Sequence, residues 1–488
     1  MNNLALRRAL IAAGGPGLCV LALLLAPADL PQPAARVLGL TLWMALWWVT
    51  EIVPLAATSL LPIVLLPLFQ VRSAAEAAAP YASELVFLFL AGFLLAAALE
   101  RWQTHLRIAF GMVAAIGTSG RRALLGVMLA SGFLSMWISN TATAAMMFPI
   151  AVAVGDLFDE GAEGRGIRTA LLLGMAYAAT IGGMATLIGS PPNIIAAGAM
   201  RDLAGRSIDF SDFMLLGVPI ALVLLPLTWL LLAFWFVPRG GGLGAAGRAA
   251  LAERRRSIGP LRGGEALTAG IFTLTALSWF FRQPKQIGSV TVPGLTQLLP
   301  GLSDAGIGLA GAVLLFTLRG STAGGERRPL LTWEEGRRLP WEVLLLFGGG
   351  LSLAEAMERS GLSAWIGAGL TGLGGYPIPV LFLGVAVAVV VLGEFASNTA
   401  IAAMMMPLAA ALARAVGQPP AALMLVTGFA ASLGFALPVA TPPNAIAFGT
   451  GRVSMRDMIR AGLVLDIVGV IVVAALLSLL VPLVLPGA

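Results

Sequence analysis

Apolar runs broken by Pro, Gly and charged residues fill most of this chain, near 9–27, 37–53, 57–70, 84–99, 168–200, 213–237, 265–281, 305–318, 341–357, 420–447 and 458–485. A bilayer core about 30 Å thick takes about 20 apolar residues per helical crossing. The pattern therefore predicts an all-α polytopic membrane protein with about eleven transmembrane helices. Two more apolar stretches, 122–154 and 376–413, do not fit single crossings. As straight helices rising about 1.5 Å per residue they would reach about 50 to 57 Å. Each must bend, cross twice or re-enter.

The polar interruptions recur. A shift of 258 residues superposes Ser139-Asn140-Thr141-Ala142-Thr143-Ala144-Ala145-Met146-Met147-Phe148-Pro149 on Ser397-Asn398-Thr399-Ala400-Ile401-Ala402-Ala403-Met404-Met405-Met406-Pro407, identical at nine of eleven positions. The same shift pairs Phe89, Gly92 and Glu100-Arg101 with Phe347, Gly350 and Glu358-Arg359. A shift of 251 pairs Ser190-Pro191-Pro192-Asn193 with Thr441-Pro442-Pro443-Asn444. One register held over such a length marks an internal duplication.

If the two Ser-Asn-Thr stretches are re-entrant hairpins, five spans lie between them, and an odd number makes the repeats inverted. The expected layout is an N-terminal segment and first span (1–36), a first repeat (37–238, hairpin 122–154, broken helix 168–200), a Gly/Arg-rich cytoplasmic linker (239–264) and a second repeat (265–488, hairpin 376–413, broken helix 420–447). With the N-terminus cytoplasmic and the C-terminus outside, 22 of the 30 basic residues fall inside, as membrane topology favours. The eight outside are Arg36, Arg72, Arg201, Arg206, Arg282, Lys285, Arg359 and Arg414.

Composition narrows the class. Of 488 residues 58% are hydrophobic and 11% charged, against about 25% charged in soluble domains, and the mean hydropathy is +0.92. This excludes a large water-exposed catalytic domain. The net charge of +6 raises nucleic acid as a partner, but the arginines lie in short breaks between apolar runs. Cys19 and His105 are the only residues of their kinds, so intrachain disulfides and Cys/His metal sites are excluded. No His-Glu-x-x-His helix exists, which removes an intramembrane hydrolase of that kind and leaves no catalytic residues to name. The first 30 residues imitate a signal peptide, yet a further span follows at once and the segment reads as a span.

Backbone groups freed at a turn in the membrane survive only where protein or a water-filled cavity surrounds them. Ser, Asn and Thr at such a turn offer hydroxyl and amide groups to carboxylates or cations. The half-helix that follows favours an anion at its N-terminus, and unwound carbonyls suit Na⁺. Two prolines remove two donors and disfavour helix in the residue before them, so both Pro-Pro-Asn sites should unwind their spans. Four breaks then converge, two from each repeat, and matched interruptions in two halves point to a transporter binding site. The Met146-Met147 and Met404-Met405-Met406 clusters read as apolar packing. Glu51 reads as a structural hydrogen-bonding group, Glu394 equally as structural or functional, and His105 beside Arg107 as part of a solvated interfacial segment.

With Trp47-Trp48-Val49-Thr50-Glu51-Ile52-Val53-Pro54 and Phe347-Gly348-Gly349-Gly350-Leu351 added to the doubled motifs, the chain resembles the divalent anion:sodium symporters (DASS or INDY-type carriers) over roughly 37 to 485. The resemblance implies eleven spans plus two re-entrant hairpins, a homodimer in the bacterial inner membrane, and an elevator-type transport domain. It also implies Na⁺-coupled uptake of C4-dicarboxylates such as succinate, malate and fumarate, with two or more Na⁺ sites. Carried over by position, a first Na⁺ site uses Ser135, Ser139, Asn140 and Gly189, and a second Gly393, Ala396, Asn398 and Ala440. The substrate would meet Ser139, Asn140, Thr141, Ser397, Asn398 and Thr399, with Ser190, Thr441 and Pro442 nearby. At 393 the chain has Gly where the resemblance leads one to expect Thr. A dicarboxylate exchanger, or a carrier of citrate or sulfate, is the alternative; a channel would show flux without saturation.

Overall fold

Uninterrupted apolar runs fold as long helices, and runs containing polar motifs or paired prolines fold as two shorter helices around a turn. The computed structural model describes residues 3–486, apart from 118, 159–160, 239–248, 250–251, 254–255, 262, 288–289 and 323. The expected linker therefore lies largely outside the described residues. Among those described, five helices are long and apolar enough to cross a membrane: Leu6–Leu24, Ala74–Arg101, Phe210–Trp235, Asn398–Ala415 and Met455–Val484. Met455–Val484 shows how such a helix sits. It buries Ala461, Leu465, Val473 and Leu477 on one face and exposes Leu463, Ile467, Leu479 and Leu483 on the other, an apolar outer surface suited to lipid rather than water.

The two halves run through matching elements. Glu84–Arg101, Thr104–Ile116, the hairpin Gly120–Ser135 and Asn140–Gly155, the broken helix Ala162–Gly183 and Pro191–Ala204, and Phe210–Trp235 form the first series. Trp341–Arg359, Leu362–Leu370, the hairpin Ile378–Gly393 and Asn398–Ala415, the broken helix Pro420–Ala431 and Pro442–Gly449, and Met455–Val484 form the second. The broken helices occupy the centre: residues 171–190 and 421–436 are all buried, and a helix apolar all round belongs there. In each half the helix after the break packs against the hairpin of the other half, Pro191–Ala204 on Asn398–Ala415 and Pro442–Gly449 on Asn140–Gly155. The halves interlock around the four interruptions.

Four expectations change. The run 57–70 is not one span. It divides into Leu55–Thr58 and Leu61–Leu68, because Thr58 and Ser59 turn their hydroxyls onto backbone carbonyls and prolines follow at 62 and 67; at about 1.5 Å per residue neither piece crosses a bilayer. The fold is not purely α: Lys285–Ile287 pairs with Val290–Val292, and Arg319–Ser321 with Arg327–Pro329, as two short antiparallel hairpins. Helix Thr104–Ile116 and its counterpart Leu362–Leu370 were not anticipated, being too short to register as spans. His105 on the former is buried rather than solvated, because the helix turns that face inward while Arg107 pairs with Glu265 at 2.6 Å.

Candidate functional site

The first hairpin turns at residues 136–139. Ser139 caps the returning helix, its Oγ accepting from the Ala142 N–H at 3.4 Å, so Asn140 starts that helix at the tip. With its nitrogen turned inward, the Asn140 amide stands 2.8 Å from Ser135 Oγ, 3.1 Å from the Ala179 carbonyl and 3.2 Å from the Gly189 carbonyl, three acceptors for its two hydrogens. Three oxygens from three segments thus converge on one side chain. Close approach is possible because residue 183 has no side chain: a Cβ there would stand 2.0 Å from the Asn140 amide. Gly189 lies in the same knot, where a Cβ would meet the Gly183 carbonyl at 2.5 Å and the Ser135 carbonyl at 2.8 Å.

The last carbonyls of a helix lack intrahelical donors, and here the prolines at 191 and 192 supply none. Asn193 fills the gap, its Nδ2 donating to the Gly183 carbonyl at 2.8 Å and the Thr186 carbonyl at 2.7 Å. Thr186 Oγ1 in turn donates to the Met136 carbonyl, joining the break to the hairpin tip. From outside the knot, Gly217 of Phe210–Trp235 lets that helix approach the Met184 carbonyl; a Cβ would lie 2.4 Å from it.

In the second half the equivalent point is Gly434, at φ 124°, a conformation natural to glycine. A Cβ built there would stand 3.4 Å from Ala440 Cβ, 3.6 Å from Asn398 Oδ1 and 3.7 Å from Glu394 Oε1. Asn398 Oδ1 is buried without a hydrogen-bond partner. Asn444 Nδ2 donates to the Gly434 carbonyl at 3.2 Å and the Leu437 carbonyl at 3.1 Å. Two carboxylates hold the unwound segment: Asp466 Oδ1 accepts from the Gly434 and Phe435 N–H groups at 3.2 and 3.0 Å, and Glu394 from those of Ala436 and Leu437 at 3.0 and 2.8 Å. Gly462 mirrors Gly217, its Cβ position 2.2 Å from the Phe435 carbonyl.

The structure thus gathers Ser135, Asn140 and Gly189 in one place, with Ser139 beside them, and Gly393, Asn398 and Ala440 in another, with Ala396 buried in the adjoining turn. Of the residues expected at the substrate, Ser139, Asn140, Ser397, Asn398 and Thr399 are half-buried and Thr141 and Pro442 exposed. Ser190 and Thr441 are buried instead: Ser190 Oγ lies 3.5 Å from Ser432 Oγ across the two halves, and Thr441 Oγ1 accepts from the Asn444 N–H at 3.3 Å. Glu394 binds backbone, while Glu51 is exposed and ends its helix in the left-handed conformation. Asn193 and Asn444 were named in the repeated motif but given no role of their own, and Asp466 and Gly183 were not singled out; the repetition of Gly183 as Gly434 at a shift of 251 was the available signal for the glycine.

A bundle of apolar helices in which two hairpin tips and two broken helices bring oxygen-rich turns to a buried centre is built as a secondary transporter of the membrane. The chain belongs to the sodium:sulfate symporter family, whose transmembrane region matches residues 8–485. It is 38% identical over 479 residues to a sodium-dependent dicarboxylate transporter, SdcS, of Staphylococcus aureus, covering 96% of this chain and 91% of that one. A Staphylococcus saprophyticus protein of the same name is 38% identical over 478 residues, 96% and 90% of the two chains. Among solved structures it resembles the Alcanivorax borkumensis YdaH transporter, with a TM-score of 0.54 and 13% identity over 93% of this chain and 99% of that one. The chain is a multi-pass membrane transporter and not an enzyme.

Proposed function

We propose that the protein is a Na⁺-coupled symporter of C4-dicarboxylates such as succinate, malate and fumarate, with Na⁺ carried as a second substrate at two or more sites. The observation that carries this reading is the shell of three oxygens around the Asn140 amide, together with the unpartnered Asn398 Oδ1 at the equivalent point. When the Asn140 amide turns its oxygen inward, Ser135 Oγ and the carbonyls of Ala179 and Gly189 become ligands of a small hard cation, for which such oxygens are suited. The names of the staphylococcal relatives support the pairing of sodium with dicarboxylate.

No Lys or Arg lies in the Ser-Asn-Thr or Pro-Pro-Asn motifs, so a dianion entering this low-dielectric centre needs its charge balanced by the cations. Na⁺ binding first, at the tip and the break together, orders the half-helix N-termini at Asn140 and Asn398. Those N-termini and their hydroxyls then receive the two carboxylates. The loaded, nearly neutral site crosses by an elevator movement of the hairpins and broken helices. We place the protein in a bacterial inner membrane as a homodimer, with re-entrant hairpins, inverted repeats, the N-terminus cytoplasmic and the C-terminus outside.

The test is uptake of labelled succinate into proteoliposomes with and without an inward Na⁺ gradient, with malate, citrate and sulfate as competitors. Saturable, Na⁺-requiring uptake that Asn140→Ala and Asn398→Ala abolish is the expected result. Uptake only into dicarboxylate-loaded vesicles would make the protein an exchanger, and wild-type transport by either variant would remove the site assignment.

A further inference from the structure

We propose that Asn193 and Asn444 are positioning residues for cation binding. Each holds the carbonyl of a glycine, Gly183 or Gly434, against which the hairpin-tip asparagine of its own half, Asn140 or Asn398, is packed. The inference rests on the reading that Asn140 and Asn398 help hold Na⁺, and deepens it.

Four observations repeat between the halves. Each asparagine follows its Pro-Pro pair directly and is fully buried, at 0% exposure. Each donates both amide hydrogens, to the carbonyls ten and seven residues before it. The more distant carbonyl belongs in both cases to a glycine facing the tip asparagine: a Cβ at 183 would overlap Asn140 Oδ1 at 2.0 Å, whereas at 434 it would lie an ordinary 3.6 Å from Asn398 Oδ1 and the φ of 124° is what calls for glycine. In both, the asparagine Oδ1 is left buried without a partner. Leaving a buried acceptor unmade costs stability, and finding it at two matched positions means the donors are what each residue is kept for.

The consequence is geometric. The prolines remove the donors that would close the end of the first helical segment, so without the amide the Gly183 carbonyl, or that of Gly434, is free to turn, while those of Thr186 and Leu437 keep only the N–H of Gly189 and Ala440. Gly183 lies against both Asn140 and Gly189, and Gly434 faces both Asn398 and Ala440, which a Cβ built on it would just reach at 3.6 and 3.4 Å. Rotation of that one peptide displaces the tip ligand and the break ligand together. Asn193 and Asn444 touch neither proposed ligand directly and act through the glycine.

The experiment measures succinate uptake against Na⁺ concentration, at constant ionic strength with choline, for wild type and for Asn193→Leu and Asn444→Leu, which keep side-chain volume but lose the donors. Gly183→Ala and Gly434→Ala form a second pair, and size-exclusion profiles and thermal midpoints report folding. Half-saturating Na⁺ should rise about fivefold or more in each folded variant, on the scale of one or two buried hydrogen bonds. The succinate KM at saturating Na⁺ should stay within about twofold, a split that general destabilisation does not produce. Asn193→Ser, with one donor, should recover part of the Na⁺ response. If a leucine variant fails to fold, the glycine variants and Asn193→Ser decide. Unchanged half-saturating Na⁺, or a fall in maximal rate alone, overturns the inference while leaving Na⁺-dependent wild-type transport intact. Wild-type uptake indifferent to Na⁺ would instead take down the proposed function, and this inference with it.

Discussion

The two breaks solve the same problem in different ways. Both breaks share one backbone closure, Gly189 to Thr186 at 3.4 Å and Ala440 to Leu437 at 3.2 Å, but in the first the unwinding chain also closes on itself earlier, where Met184 and Ala185 donate to Ile181 and Gly182 at 3.2 and 3.0 Å. In the second, four successive N–H groups from Gly434 to Leu437 find no such partners and are taken up by Asp466 and Glu394. The tie between hairpin tip and break also reverses. Residue 186 sends a side-chain hydroxyl to the backbone of residue 136, whereas residue 437 sends its backbone N–H to the side chain of residue 394, with Met136 and Glu394 at equivalent positions. The shared architecture is thus enforced by local turn geometry in one half and by side chains from a hairpin and a long helix in the other. Ionisable groups inside a membrane are expensive and are retained for a reason; here the reason is an extended segment that has no other acceptors.

The strongest way to break this comparison is Glu394→Ala. It orphans one buried and one half-buried N–H group, the buried one at about 1–3 kcal/mol, and should lower the thermal midpoint and cut succinate uptake by about 100-fold. Asp466→Asn keeps an acceptor oxygen and should lose less, about tenfold. A folded Glu394→Ala protein with near-normal uptake would mean that the second break does not depend on its carboxylates.

Next in size is the reversed tie. Thr186→Val removes one hydrogen bond, worth about 0.5–1.5 kcal/mol, and should slow uptake severalfold, while Thr186→Ser restores it. Because the first break keeps its own backbone closure, the loss must be smaller than for Glu394→Ala. The same uptake assay ranks the two, and an equal or larger loss at Thr186 would show that the first half also relies on side chains.

Much of this was legible because a bilayer imposes simple rules. Residues 122–154 and 376–413 were too long for single crossings, and each divides into two helices, the second starting at Asn140 or Asn398; the Pro-Pro pairs unwind the helices as proline chemistry requires. What stayed hidden depends on distance across the fold. Asp466 sits in the apolar body of its helix, 32 residues beyond the glycine it serves, and nothing local marks it. The region 57–70 misled because prolines near the start of a helix are tolerated, and only the Ser59 turn, packed under Trp48 and Tyr81, reveals that the run is divided. Glu51 misled in the opposite direction: an acid in an apolar stretch turned out to lie at the exposed end of its helix.

Gly393 offers the finest probe. Its counterpart in the first half is Ser135, whose hydroxyl is one of the three oxygens around Asn140. In the second half that oxygen is missing, although space for it exists: the nearest atom to a Cβ at 393 is Asn398 Oδ1, at an ordinary contact distance of 3.7 Å. Gly393→Thr should therefore be accommodated and place a hydroxyl beside an oxygen that now lacks a partner. A hydroxyl donating to Asn398 Oδ1 would compete with a cation, whereas one presenting its lone pairs would join it, and the two cases move Na⁺ affinity in opposite directions. If the second site follows the first as proposed, with Ser135 Oγ presenting its lone pairs to the cation, half-saturating Na⁺ should fall about two- to threefold, equivalent to about 0.5 kcal/mol. A rise instead, measured in the same Na⁺ titration of succinate uptake, would mean that the two halves bind their cations through different oxygens and that the likeness between the sites ends at their asparagines.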